Sequence, residues 1–128
     1  MAPELTAVGA SALLAFCQLL FAATATALAM GADWAAGNRD LPADISGWRA
    51  RSNRAARNML DALILFAPVA LAVQAADATS EVTAIGAEVF LLSRFLYAGA
   101  YVAGVRYLRT LLWWGGNIGT FMVASGFF

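Results

Sequence analysis

The sequence of 128 residues has no histidine, no lysine and one cysteine, Cys17. Without histidine, the chain lacks the commonest general base and the commonest metal ligand of proteins. A single cysteine excludes a disulfide within the chain, and because Cys17 lies in an apolar run we expect a packed or lipid-facing side chain rather than a reactive thiol. The eight basic residues, all arginine, are matched by eight acidic ones, and no basic tract indicates a nucleic-acid partner.

Apolar residues, by contrast, are abundant. They make up 62% of the chain, and the mean hydropathy is +0.71. A soluble domain of ordinary composition is about 45–50% apolar, so the composition indicates an integral membrane protein. The length fits a single domain over residues 1–128.

Four apolar segments are each long enough to cross a hydrocarbon core, which takes about 20 residues of helix. They cover residues 5–30, 55–74, 82–105 and 108–128. The links between the last three segments are short, so neighbouring helices must run antiparallel. The predicted fold is therefore an all-α membrane protein, an up-down bundle of four transmembrane helices.

The arginines predict the orientation of this bundle. Most of them lie in or beside the first loop, and Arg106 and Arg109 mark the third loop. The second loop and the N-terminus carry only acidic residues. Because basic residues are retained on the cytoplasmic side of a membrane, we expect the first and third loops in the cytoplasm and both termini outside.

Polar side chains form a stripe along the start of the second span. With about 100° of rotation per residue, one arc of about 120° contains Arg51, Arg54, Arg57, Asn58 and Asp61. Asp61 lies about 10 Å inside the span, where a charge that faces lipid is unfavourable. The stripe therefore predicts a face that is turned away from lipid.

A second stripe lies on the third span, where Arg94, Tyr97 and Tyr101 fall within about 60° of one another. Both stripes open towards the same end of the bundle, so we expect them to form one polar cavity with Arg109 at its mouth. The alternative is a buried ion pair that only joins two helices. In either case we expect Asp61 within reach of Arg94, directly or through one water.

Three further features lie on the last two spans. Glu88 points away from the second stripe and is interpreted as an interhelical or subunit contact. Gly115 and Gly119 have the GxxxG spacing, a weak motif for close helix contact. Trp113 and Trp114 are either interfacial anchors or packing residues.

The chemistry of the predicted cavity suits a small molecule with two carboxylates and an amine. Arginine holds carboxylates in two-point geometry, while Asn58 can bond an amide and Asp61 an ammonium group. The sequence contains no Ser-His-Asp set, metal-binding cluster or phosphate loop. If the site is catalytic, we expect the nucleophile to come with the ligand.

Three segments of the sequence match motifs of one known family. They are "RAARNMLDALILF", "GNRDLPADISGWRARSNRA" and "SRFLYAGAYVAGVRYLRTL". The first resembles the second-helix signature of the MAPEG family, the membrane-associated proteins of eicosanoid and glutathione metabolism. The second resembles the first loop of bacterial members, and the third resembles their third helix and the arginine-bearing turn after it.

The resemblance implies a homotrimer of four-helix subunits that binds glutathione as a cosubstrate, with no metal, in clefts between subunits. Arg109 matches the arginine beside the glutathione sulfur, which makes it the expected catalytic residue. Arg39 resembles a basic residue that reaches into the site of the neighbouring subunit. The other glutathione-binding positions carried over from the family are Arg54, Arg57, Asn58, Asp61, Arg94, Tyr97, Tyr101 and Thr110.

Two positions depart from the family pattern, and one assignment stays open. The usual glutamate is Asp61 here, one methylene shorter, and a frequent histidine or glutamine is Ala56. Because the spacing after Tyr101 varies among members, Arg106 competes with Arg109 for the position beside the sulfur. These changes affect catalysis more than binding.

The leading hypothesis is a glutathione-dependent transferase or peroxidase of the bacterial inner membrane, surrounded by lipid and acting on lipophilic electrophiles or hydroperoxides. A first alternative is a non-catalytic protein of the same type that binds a small anionic ligand or a lipid. A second is a subunit of a small transporter or channel, because charges within a membrane also mark ion pathways.

Overall fold

The structure is a computed structural model that describes residues 1–128 and contains only helices. The helices are α1 (Pro3–Met30), α2 (Ala32–Ala36), α3 (Gly47–Ala75), α4 (Glu81–Ala103) and α5 (Arg106–Ala124), followed by a 3-10 turn at Ser125–Phe127. The four long helices pack together, with α4 against α5 and α1 against α3 as the most extensive pairs. The prediction of an all-α fold is confirmed.

Three of the long helices, α1, α3 and α4, are long and apolar enough to cross a membrane. The fourth, α5, has 19 residues and falls outside that set. It begins with Arg106, carries Arg109 one turn later and contains the polar stretch "GGNIGT", all of which lower its hydropathy. The segment 108–128 is thus largely helical as expected, and its crossing of the membrane stays a prediction.

The core of the bundle is a stacked pair of phenylalanine rings. Phe66 of α3 and Phe90 of α4 are fully buried, and their nearly parallel rings have centroids 3.7 Å apart. Smaller side chains from all four long helices surround the pair: Ala7, Ala70, Val73, Ala87 and Val123. Within a membrane, such packing contacts hold helices together, because lipid chains are as apolar as the side chains.

Glycine residues let α4 and α5 approach backbone to backbone. A Cβ atom added to Gly86 would lie 2.8 Å from the carbonyl oxygen of Gly119, and one added to Gly119 would lie 2.6 Å from the backbone nitrogen of Phe90. A Cβ atom on Gly115 would lie 2.5 Å from the Ser93 hydroxyl. The two glycines of the GxxxG spacing therefore both face α4.

The start of α4 is joined to the start of α1 by a buried carboxylate. Ser80 and Thr83 cap α4 reciprocally, because each side-chain oxygen accepts from the backbone N–H of the other residue. The Thr83 hydroxyl also donates to the carboxylate of Glu4, which is only 1% exposed. A buried carboxylate requires such a donor, so this hydrogen bond fixes the two helix ends together.

Gly86→Ala tests the close approach of α4 and α5. The new methyl group would lie 2.5 Å from the Met122 Cβ atom and 2.8 Å from a backbone oxygen. The helices must then move apart, and we expect the protein to lose about 1–3 kcal/mol of stability, as in other overpacked cores. The stability is measured by denaturing the protein in detergent and monitoring its unfolding by circular dichroism.

Gly99→Ala, on the same helix, is the matched control. Nothing lies within 4 Å of a Cβ atom at this position, and alanine favours a helix over glycine by about 1 kcal/mol. This variant should be as stable as the natural protein or more stable. Equal losses in the two variants would contradict the contact.

Candidate functional site

A polar cavity of about 360 Å³ lies between α3, α4 and α5, at the end of the bundle where α4 passes into α5. Its lining consists of Arg54, Arg57, Asn58, Asp61, Tyr97, Tyr101, Arg109 and Trp113. All of these except Trp113 belong to the set predicted from the sequence. We call this space the main cavity.

The side chains from α3 share one face because the helix begins well before the apolar segment. α3 starts at Gly47, so the polar stripe is continuous helix and its members repeat every three or four residues. Arg54, Arg57 and Asp61 are exposed, while Asn58 is half-buried at the inner edge of the stripe. Charged groups therefore reach the cavity from its outer side, and the amide reaches it from the inner side.

A tight turn places Arg109 beside Tyr101. Gly104 ends α4 with a φ of +81°, a left-handed conformation that glycine adopts without strain. Arg51 supports this turn, because its Nε donates to the carbonyl oxygen of Val102 at 2.9 Å. The guanidinium carbon of Arg109 then lies 4.7 Å from the centroid of the Tyr101 ring, within cation–π distance.

Tyr101 is in contact with arginines from two helices. The Nε of Arg54 donates to its hydroxyl at 3.2 Å, Arg109 faces its ring, and Tyr97 meets it edge-on with centroids 5.5 Å apart. Each guanidinium has five N–H donors, and these contacts use one of those of Arg54. The other donors remain free for an anionic ligand.

Arg94 lies behind the main cavity rather than in its lining. Its side chain is 2% exposed; one terminal nitrogen donates to Asn58 Oδ1 at 2.9 Å and the other to the Trp113 carbonyl at 3.2 Å. Gly116 provides the space, since a Cβ atom there would lie 2.6 Å from the Arg94 Nε. That Nε is buried without a hydrogen-bond partner.

Asp61 and Arg94 form no direct hydrogen bond, and a contact through one water stays a prediction. On a helix, Asp61 lies about 60° further than Asn58 from the face of α3 that carries the buried Phe66. The amide of Asn58 therefore meets Arg94, while Asp61 is exposed and lines the cavity. The sequence placed both residues on one stripe but did not fix the rotation of the helix.

Thr110 and Arg106 lie beside the main cavity. Thr110 lines a smaller space of about 120 Å³ together with Tyr97, Arg109 and Trp113. Its hydroxyl donates to the carbonyl oxygen of Arg106 at 3.2 Å. The side chain of Arg106 is exposed and is not part of the main cavity.

Arg39 lies in a second cavity of about 510 Å³, on the other side of α3 and next to α1 and α2. Its guanidinium lies 5.1 Å from the centroid of the Trp34 ring and donates to the Ala35 carbonyl at 3.0 Å. The two cavities share Arg57 and Asp61. The structure of one subunit does not bring Arg39 into the main cavity, and its role in a neighbour's site stays a prediction.

The structure adds Trp113 to the residues of the cavity. Its side chain lines the space and its carbonyl accepts from both Arg94 and Asn117. The sequence could have indicated this position, because Trp113 lies four residues after Arg109 and hence on the same face of α5. No group of three or more histidine, cysteine, aspartate or glutamate residues is arranged to hold a metal ion.

Asn58→Ala should destabilise the protein even without a ligand. It leaves a donor of the buried Arg94 guanidinium without an acceptor, and the loss is expected to be about 1–3 kcal/mol. Asp61→Asn changes an exposed side chain and should alter stability by less than about 0.5 kcal/mol. Thermal unfolding in detergent compares the two variants; the opposite order would show that Asp61 supports Arg94.

Comparison with known proteins agrees with this geometry. The model of the MAPEG family matches residues 7–127, a range that contains every residue of the main cavity. No match was found among curated proteins or among solved structures. With three helices able to span a membrane, a polar cavity at one end of the bundle and a family match over nearly its whole length, the chain belongs to the MAPEG family.

Proposed function

We propose that the protein is a membrane-bound glutathione-dependent transferase or peroxidase that acts on lipophilic electrophiles or hydroperoxides. The observation that carries the proposal is the convergence of Arg54, Arg57 and Arg109 on one cavity that also contains the carboxylate of Asp61. Glutathione has two carboxylates, an ammonium group and a thiol, so its charges complement this set. Membership of the MAPEG family supports the same ligand.

The α3 residues are proposed to bind the peptide part of glutathione. Arg54 and Arg57 offer paired N–H donors to carboxylates, and Asp61 can accept from the ammonium group. The oxygen of Asn58 already accepts from Arg94, which leaves the amide nitrogen as a donor for a ligand carbonyl. Arg94 would then act by holding Asn58 in this orientation.

Arg109 is proposed as the catalytic residue. A guanidinium beside a thiol favours the thiolate and lowers a thiol pKa that is ordinarily about 8.5. Its contact with Tyr101 positions the guanidinium at the cavity, whereas Arg106 is outside it. The thiolate would attack the electrophilic carbon of a substrate from the bilayer and displace its leaving group. With a hydroperoxide it would attack the terminal oxygen and break the O–O bond, giving an alcohol and glutathione sulfenic acid, which a second glutathione converts to the disulfide and water.

We further propose that α5 is the fourth membrane crossing and that three subunits assemble around shared sites. The first and third loops would lie in the cytoplasm of a bacterial cell and both termini outside the inner membrane. Membership of the MAPEG family supports assembly. Arg39 lies outside the main cavity of its own subunit, and in the proposed trimer it would reach the main cavity of a neighbour.

The assembly has a direct test. Light scattering corrected for bound detergent should give the mass of three chains at micromolar concentration. A monomer under these conditions would contradict the proposal that the site is shared between subunits.

A binding protein without catalysis is the second candidate. It is favoured by Asp61, whose carboxylate is one methylene shorter than the family's usual glutamate, and by Ala56, which is buried and offers no polar contact. Such a protein would hold glutathione or another small anion without ionising a thiol. The next experiment separates the two candidates.

Titration calorimetry with glutathione should show saturable binding to the detergent-purified protein, and ultraviolet absorbance should show a thiolate in the complex. Arg109→Ala should abolish the thiolate band and reduce turnover about 10²–10³-fold, the usual effect of removing one donor that stabilises developing negative charge. The dissociation constant should change far less, because Arg54 and Arg57 remain.

Arg106→Ala is the matched control, one helical turn away and outside the main cavity. It should keep both the band and the turnover. If the two variants behave the other way round, the sulfur lies beside Arg106. If the natural protein binds glutathione and never shows the band, the binding protein without catalysis is the correct function.

A further inference from the structure

An apolar cleft of about 590 Å³ lies between α1 and α4, separate from the main cavity. Eight residues line it: Ala10, Leu13, Leu14, Cys17, Glu88, Leu91, Leu92 and Phe95. Glu88 is the one charged member, and none of the eight lines the main cavity. We call this space the Glu88 cleft.

The Glu88 cleft opens on the outer surface of two membrane-spanning helices. Leu13, Leu92 and Phe95 are 64%, 61% and 64% exposed, so the cleft is accessible from the side of the bundle. Glu88 itself is exposed and lies about 10 Å along α4 from its first residue. The carboxylate is therefore accessible from the hydrocarbon layer rather than from the interior of the subunit.

An ionised carboxylate at this depth is unfavourable without a partner, and an ionisable residue within a membrane usually marks a functional site. The sequence predicted an interhelical or subunit contact for Glu88. Within the subunit, however, the remaining lining of the cleft is apolar apart from the weakly donating thiol of Cys17. A positively charged partner of Glu88 would therefore come from outside the subunit.

The size and lining of the cleft fit a small molecule. Ligand pockets commonly have volumes of about 300–1,000 Å³ and apolar walls with a few polar groups that fix the orientation of the ligand. A neutral apolar molecule would leave the carboxylate unpaired, and an anion would be repelled by it. A positive charge on an apolar body satisfies both the wall and the carboxylate.

We propose that the Glu88 cleft binds a lipophilic cation that enters from the bilayer, with Glu88 as its counter-ion. The site shares no residue with the main cavity, so it does not depend on the glutathione proposal. It gives the subunit two ligand sites of opposite charge preference: an arginine-rich cavity for anions and an acidic cleft for cations.

Tetraphenylphosphonium and tetraphenylborate test the charge preference, because they have closely similar shapes and opposite charges. Binding of each labelled ion is measured by equilibrium dialysis with the protein in nanodiscs, against empty nanodiscs. We expect saturable binding of the phosphonium alone. Glu88→Gln should weaken it about tenfold or more, as for other charge pairs removed from an apolar setting, while Glu81→Gln at the exposed start of α4 should not.

Cys17 supplies a second readout, because it is the chain's one cysteine and is exposed in the same cleft. Bound phosphonium should slow the reaction of Cys17 with N-ethylmaleimide in the natural protein but not in Glu88→Gln. Leu13→Trp keeps the carboxylate and narrows the cleft, and it should weaken binding too. Thermal unfolding of each variant serves as the control for folding.

Three results would overturn the proposal. They are equal binding of the two ions, phosphonium binding that is unchanged in Glu88→Gln, and no saturable binding at all. Glutathione binding plays no part in any of these readouts.

Discussion

The buried guanidinium of Arg94 is the constraint on which the polar end of the bundle depends. It is 2% exposed in a membrane-spanning helix and has no carboxylate beside it. Its hydrogen bonds go to Asn58 of α3 and to the Trp113 carbonyl of α5, so one side chain of α4 joins three helices. A glycine at position 116 is required for this arrangement, because a methyl group there would overlap the guanidinium. The glycine contacts between α4 and α5 thus determine whether Arg94 can be accommodated.

The hydrogen bonds of Arg94 also explain which polar groups face the main cavity. Because Asn58 accepts the hydrogen bond that Arg94 donates towards α3, the carboxylate of Asp61 is not used within the subunit and stays available to a ligand. Because Arg51 and Gly104 hold the end of α4 in a tight turn, Arg109, in the first turn of α5, lies within reach of Tyr101. Neighbouring residues of α3 therefore have separate roles. Arg51 and Asn58 form hydrogen bonds that hold the helices together, while Arg54 and Asp61 face the main cavity.

Much of this arrangement could be predicted from the sequence, because helical periodicity and short links are local properties. They placed two polar stripes on consecutive antiparallel helices, and the structure brings most of their members into one cavity. The direct hydrogen bond expected between Asp61 and Arg94 was wrong, because it depends on the rotation of α3 about its axis. The burial of Glu4 depends on a threonine far along the chain, and the backbone contact at Gly86 depends on how α4 and α5 cross. Both are tertiary features without a local signal.

We propose that the arginine-rich cavity between α3, α4 and α5 binds glutathione with its thiol at Arg109. The most direct measurement is a crystal structure of the protein with saturating glutathione. We expect the sulfur beside the Arg109 guanidinium and the glutathione carboxylates at Arg54 and Arg57. Glutathione bound elsewhere on the protein, or a main cavity without it at saturation, would contradict this site.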